Sequence, residues 1–394
     1  TGRYEVGLSG GLNRYLIPGL GIVDVMTDLK VVPGPGGRGS HLEGRGRAWV
    51  RRFDNSFLRS LAGGLPTIET RMTRDSDGII HFANLQLTAP AIRLTGNGYR
   101  RRDGTFYFKG SGAQQQYGPL DLVLDGDISR PKLDIALARP MDSLGLAAVK
   151  LLLDPVPDGF AWRANGGSTL GPFNGNGRII LQPNSPALIA ITGLDVSGTH
   201  ATGGLRVDPG GFTGKIMTAG GGIDGTIGFI PVGDIQRIDP QLKFSRAQLG
   251  GIVETRVGRG TLDGQFLLDP AGMTVQSKIE GRGLRRRQLF LGRISSTVAL
   301  QRGDGQIKAR MTGARGRAFD LNTVTDIKGN GDSIRLSGGG TIDRQPIALD
   351  TPAQITRSED GWRLDRTDIS FAGGKARFSG RIGGSATEVD ASIQ

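Results

Sequence analysis

The stretch Leu120-Asp121-Leu122-Val123-Leu124-Asp125-Gly126, followed after Arg130-Pro131 by Leu133-Asp134-Ile135-Ala136-Leu137, decides the fold. Its apolar residues recur at every second position, the period of a strand with one buried and one solvated face, rather than the three-to-four of a helix. The same period returns at Ile369 and Phe371, and again at Ala376, Phe378 and Ile382. A sheet of such strands has one apolar face to cover. With few helical segments in the chain, only another sheet, a curl of the same sheet or a ligand can cover it.

Outward from these strands, the turns are written as Asx followed by glycine, the pair that accommodates positive φ at both centres of a two-residue hairpin loop. Asp-Gly stands at Asp77, Asp103, Asp125, Asp158, Asp224, Asp263, Asp304 and Asp360, and Asn-Gly at Asn97, Asn165, Asn174, Asn176 and Asn330. These 13 pairs fall about 30 residues apart on average, and Gly-Gly pairs with the Asp-Pro-x-Gly turns at Asp208 and Asp269 fill the intervals. The chain therefore reads as all-β, one long antiparallel meander. At roughly 12 residues per strand and turn it should hold about 33 strands, extending on the order of 150 Å at ~4.8 Å spacing.

A weak repeat agrees with this reading. Asp77-Gly78 leads through Phe82, Leu85 and Leu87 to Gly96, and Asp360-Gly361 leads through Leu364, Ile369 and Phe371 to Gly380, so the closing glycine follows the opening one at a spacing of 18 and 19 residues. Such self-similarity points to stacked units that bury their apolar faces against neighbours. No linker or shift in composition marks a boundary, so residues 1–394 read as one continuous repetitive segment. The Thr1 start and the Gln394 stop inside an alternating pattern read as those of a fragment of a longer chain. One segment departs from the strand period: Phe57, Leu58 and Leu61 share a helical face, Asn55 is the candidate N-cap, and Gly63-Gly64 then Pro66 are stop signals. A single short helix is expected near residues 55–62, as a connector covering local core or as a plug in a groove.

Composition narrows the classes further. Glycine supplies 66 of 394 residues, about 17% against a usual ~7%, yet with no every-third-residue pattern that would make a collagen-like rod. The apolar fraction of 37% is interspersed along the chain, which argues against disorder. There is no cysteine, hence no disulfide framework or thiolate site. No apolar run approaches the roughly 18 residues of a membrane-spanning helix.

Signals for catalysis are missing. His41, His81 and His200 stand in no metal-ligating spacing, and neither a nucleophile elbow nor a phosphate-binding NTPase loop is present. Gly34 to Gly39 and Gly220 to Gly225 match a dinucleotide fingerprint in form, but neither opens an apolar-periodic helix. Asp121, Asp125 and Asp127 form a small acidic cluster that reads as strand and turn residues, with a calcium site as the alternative. Arg302-Gly303-Asp304 sits in a turn. No residue is assigned to catalysis or to a metal, no cofactor is called for, and the chain reads as a non-enzyme.

The formal charge of +12 gathers in Arg51-Arg52, Arg100-Arg101-Arg102 and Arg285-Arg286-Arg287. Aromatic residues are 6% and do not interleave with these arginines as a stacking platform would, so nucleic acid is not the expected partner. A solvated sheet rim is one reading of the arginines. Contact with anionic lipid headgroups through Arg100, Arg101, Arg102, Arg285, Arg286 and Arg287 is the other.

At Tyr99-Arg100-Arg101-Arg102-Asp103-Gly104-Thr105-Phe106, at Gly166-Gly167-Ser168-Thr169-Leu170-Gly171-Pro172-Phe173 and at Gly316-Arg317-Ala318-Phe319-Asp320, the chain resembles the central region of TamB-family translocation and assembly proteins, in particular alphaproteobacterial members. The resemblance runs along essentially the whole chain and carries no catalytic residues. It implies a periplasmic segment of a Gram-negative envelope protein. That parent is held in the inner membrane by an N-terminal helix and joined to an outer-membrane barrel through a C-terminal domain, both outside this chain. It also implies, by analogy with AsmA-like bridge-shaped lipid carriers, a meander curled into an elongated U-shaped β-groove whose apolar interior passes phospholipid acyl chains between membranes.

On that view Leu120, Leu122, Leu124, Leu133, Ile135, Leu137, Ile369, Phe371 and Phe378 line the groove, holding acyl chains without directional contacts. Two alternatives stay open: a scaffold or chaperone for outer-membrane protein assembly, pairing along sheet edges, and a β-helical adhesin or passenger. The Asx-Gly hairpin signals weigh against the last, because they reverse the chain instead of winding it.

Overall fold

The computed structural model describes residues 6–33, 40–54, 56–74, 77–115, 117–140, 145–182, 185–208, 210–250, 254–359, 361–383 and 387–393. The chain divides into two compact units, Thr1–Val196 and Ser197–Gln394. The first contains β1 (Val6–Ile17), β2 (Gly21–Pro33), β3 (Ser40–Phe53), helix α1 (Ser56–Ala62), β4 (Thr67–Arg74), β5 (Ile80–Thr88), β6 (Ile92–Arg100), β7 (Phe106–Gln114), β8 (Gly118–Gly126), β9 (Lys132–Leu137), β10 (Ala147–Val156), β11 (Gly159–Ser168), β12 (Gly171–Ile180) and β13 (Leu188–Val196). The second contains β14 (Thr199–Asp208), β15 (Gly211–Ala219), β16 (Ile223–Val232), β17 (Ile235–Leu249), β18 (Thr255–Leu268), β19 (Thr274–Arg286), β20 (Leu289–Gln301), β21 (Asp304–Arg315), β22 (Arg317–Lys328), β23 (Ser333–Ile342), β24 (Gln345–Leu349), β25 (Ala353–Ser358), β26 (Gly361–Phe371), β27 (Gly374–Ile382) and β28 (Glu388–Ile393).

The fold is all-β, with 28 strands and one short helix among the described residues. That is fewer strands than the roughly 33 expected at ~12 residues each. The reason is length: β17 to β20 run for 13 to 15 residues apiece.

In the first unit each strand pairs antiparallel with the one before it, from β1 to β13. The second repeats the pattern from β14 to β28 with one interruption. There β24 and β25 act as one broken strand, each pairing with both β23 and β26. The break falls at Asp350-Thr351-Pro352, where proline cannot donate to a ladder. The N–H groups of Asp350 and Thr351 both donate to the carbonyl oxygen of Asp368, so the jog keeps its backbone satisfied.

Turn chemistry followed the expected pairs only in part. Asp77-Gly78, Asp103-Gly104 and Asn330-Gly331 lie in turns, and Pro157-Asp158 turns β10 into β11. The Asp269 turn closes with the Gly272 N–H donating to the Asp269 carbonyl at 3.0 Å. Asp125-Gly126 and Asp304-Gly305 sit at strand ends, while Asp360 and Pro209 lie outside the described residues. Six pairs, at Asn97, Asn165, Asn174, Asn176, Asp224 and Asp263, lie inside strands instead of reversing the chain. Their glycines fall on the apolar side of the alternation: a Cβ on Gly166, Gly175, Gly177 or Gly264 would meet an aromatic side chain, and one on Gly98 or Gly225 the backbone of the adjacent strand.

The helix forms where expected. Among the described residues it is a connector that covers core: Leu58 and Ala62 pack with Val23, Val50, Phe53, Ala89, Ile92, Leu94 and Leu120. The candidate N-cap Asn55 and the side chain of Phe57 lie outside the described residues, as do Gly34 to Gly39.

Candidate functional site: the apolar faces

Strand pairing converts the period-two pattern into rows. Leu120 opposes Leu137, Leu122 opposes Ile135 and Leu124 opposes Leu133, so six of the expected lining residues are three cross-strand pairs on one face of β8 and β9. On β10 the same rows continue as Val149, Leu151 and Leu153. One row crosses all of the first unit through Leu8, Leu29, Gly44, Met72, Phe82, Gly98, Phe108, Leu124, Leu133, Leu153, Trp162, Gly177 and Ile191. Every position in it is apolar or glycine.

In the second unit a comparable row runs through Leu205, Gly214, Phe229, Ile238, Phe266, Val275, Leu300, Gly305, Ile327, Ile334, Ile355, Leu364, Gly380 and Val389. Phe371 joins a parallel row, opposing Ile347 and Gly374. Ile369 opposes Leu349 and Ala376, and Phe378 opposes Ala391 and Thr367. Thr367, 2% exposed on this apolar side, satisfies its hydroxyl by donating to the Asp365 carbonyl at 3.0 Å.

Burial differs between the two faces. In the first unit Leu153 and Phe160 are fully buried and Leu120, Leu133 and Ile135 nearly so, although α1 is the one helix described. A flat single layer would leave such residues open, so this sheet curls about its apolar side. Leu122, Leu124 and Leu137 are half-buried. In the second unit Ile369, Phe371, Phe378, Leu321 and Met311 are all half-buried, and the face is the more open of the two.

Glycine makes the close packing of these rows possible. A Cβ on Gly96 or Gly110 would lie 2.8 or 2.5 Å from Cζ of Phe108, and one on Gly175 or Gly177 would run into the Trp162 indole at 3.2 or 2.8 Å. The aromatic rings occupy the space beside bare backbone that a side chain would otherwise fill. Trp162 anchors this arrangement by donating its indole N–H to the Ala190 carbonyl at 3.2 Å. Sequence reading did not single out Trp162. The available signal was the spacing Phe173-x-Gly175-x-Gly177-x-Ile179, in which glycine holds apolar positions.

Surface depressions in both units are open. One in the first, about 600 Å³, is lined mainly by polar residues including Arg45, Arg47, Glu69 and Arg71; one in the second, about 650 Å³, includes Thr297, Lys308, Arg310 and Asn322. Asp125 and Asp127 are engaged elsewhere, Asp125 with Arg101 and Asp127 with the backbone N–H and hydroxyl of Ser129. Among the described residues no group of three or more potential ligands gathers around a common metal position. No helix among them is long and apolar enough to cross a membrane.

The opposite face is polar and ion-paired. Asp154 takes Arg163 at 2.8 Å and Lys132 at 3.3 Å, and the Arg163 hydrogen bond is the main reason its carboxyl is held below the ordinary value. The two arginine triplets differ in their commitments. Arg101 bonds Asp125 at 2.8 Å and Thr105 at 3.1 Å and lies 5.2 Å from the Tyr99 ring, so its charge is fixed in place. Arg100 stands instead on the apolar side, opposite Ile80 and Phe106 and over the Phe106 ring, and Arg102 donates to the Asp77 carbonyl. Arg285, Arg286 and Arg287 are exposed at the β19–β20 turn, with Arg285 5.5 Å from the Phe290 ring centre.

No family model, no curated protein and no solved structure matches the chain.

Proposed function

We propose that each unit holds phospholipid acyl chains against its apolar face, as part of a periplasmic conduit between the inner and outer membranes. The observation that carries this reading is the uninterrupted apolar row, 13 strands long in the first unit and 14 in the second, with no charged residue along it. A chain lying across such a row gains about 0.8 kcal/mol per buried CH₂ and meets no directional partner that would fix its position. Translation by one strand spacing replaces one apolar contact with an equivalent one. Grip without register is the property a carrier needs. The resemblance to TamB-family proteins supports the same reading and supplies the compartment and the outer-membrane barrel as partner.

The experiment is native mass spectrometry of the chain purified from a bacterial periplasm, counting phospholipids per molecule. Wild type should carry several. The pair Leu122→Glu with Ile135→Glu should lower the count, and so should Met311→Glu with Leu321→Glu, a half-buried cross-strand pair better able to accept the change. A folded double variant with an undiminished count would overturn the assignment.

A further inference from the structure

On the polar face of the second unit, Arg259, Arg282 and Arg293 stand directly opposite one another on β18, β19 and β20. Like charges at opposed positions of an antiparallel sheet repel and destabilise it. Elsewhere on this face arginines lie beside acids, as Arg310 does with Asp320 and Arg256 with Glu254. Here the surrounding acids are taken by other cations. Glu254 is bonded by Arg256 and by Gln248, each at 2.8 Å, and Glu280 is bonded by Lys278 at 2.8 Å. Glu280 also feels the charge of Arg282, more weakly than that of Lys278.

Among the described residues no carboxylate lies within ion-pair distance of the three guanidinium groups, and all three side chains are exposed. The next row toward the turn adds the opposed pair Arg256 and Arg285, the latter against Phe290.

We infer that Arg259, Arg282 and Arg293 form a binding site for a phosphate-bearing anion, on the face of the sheet opposite the apolar rows. Guanidinium forks donate two N–H groups at a time to phosphate oxygens, and three side chains on consecutive strands span about 10 Å at the ~4.8 Å strand spacing. Such a row grips one phosphate between two neighbours or two linked phosphates across all three. An anion there also removes the mutual repulsion of the row. The chemistry fits a lipid headgroup at a membrane surface and a soluble phosphate ester alike. The site does not rest on the acyl-chain reading, because it lies on the other face.

The test uses the whole chain at about 0.15 M salt, where exposed charges more than ~8 Å apart are screened. The probes are inorganic pyrophosphate by calorimetry, and phosphatidylcholine vesicles with and without phosphatidylglycerol by sedimentation. The ladder variant is Arg259→Gln, Arg282→Gln, Arg293→Gln. The control removes the same charge at scattered exposed positions, Arg45→Gln, Arg93→Gln, Arg335→Gln.

The ladder variant should lose tenfold or more in affinity for whichever probe binds, while the control retains binding. Its thermal midpoint without ligand should equal or exceed that of wild type, since opposed like charges have been removed. Binding of pyrophosphate marks a site for a free phosphate ester; binding of anionic vesicles alone marks a headgroup site. Equal weakening by both variants, or failure of wild type to bind either probe, overturns the proposal.

Discussion

At Gly177 the sheet has no room for a methyl group: a Cβ there would overlap the Ala190 carbonyl oxygen and sit 2.8 Å from the Trp162 indole nitrogen. Gly177→Ala should therefore lower the unfolding free energy by about 1–3 kcal/mol, the usual cost of overpacking. Gly10, where a Cβ would meet nothing within 4 Å, serves as the control, and Gly10→Ala should stay within about 0.5 kcal/mol of wild type. Urea denaturation followed by tryptophan emission reads both variants. The contrast also explains why six Asx-Gly pairs read as turns yet lie in strands. Asx pointing to solvent followed by glycine against a ring or a neighbouring backbone obeys the strand alternation as well as it obeys the hairpin rule, and only the residue across the ladder distinguishes the two.

At the scale of elements, α1 closes one end of the first unit's apolar face, with Ala62 6% exposed among Val50, Phe53, Ile92 and Leu94. A carboxylate placed there has no counter-charge in that cluster, so Ala62→Asp should cost on the order of 3 kcal/mol and expose dye-binding apolar surface. Chemical denaturation and dye fluorescence check both. This helix was legible because Phe57, Leu58 and Leu61 break the period of two, and the strands were legible because Leu120, Leu122 and Leu124 keep it. Registers were not legible. Arg259, Arg282 and Arg293 lie 23 and 11 positions apart, and nothing local to any of them says that two hairpins align them. The same holds for the row from Leu8 to Ile191, whose members were individually readable as apolar strand residues and collectively readable only after pairing.

At the scale of the whole molecule, the charge balance sets how stability responds to acid. Asp154 is held below its ordinary value of 3.8 mainly by Arg163, Asp208 by Arg206, Asp368 by Arg377, Asp24 by the Arg14 backbone N–H, and Asp127 by Ser129. A carboxyl with a depressed folded-state pKa binds its proton more readily when unfolded. Its contribution is complete above 3.8 and is lost as pH falls through the lower folded value. Unfolding free energy should thus be nearly level from pH 7 to about pH 5 and drop steeply below about pH 4, where the net charge of +12 also rises. Urea titrations across that range check it. A midpoint that stayed level below pH 3 would remove these carboxylates from the account.

The pairing of almost every strand with its immediate predecessor carries a consequence for how such a chain comes into being. Each new strand needs only the edge left by the one before, so the loop to be closed is a single hairpin turn and never the length of the unit. A unit with this topology can grow by accretion, in the order in which its residues emerge from a ribosome. Every strand laid down both retains the chain already delivered and templates the next.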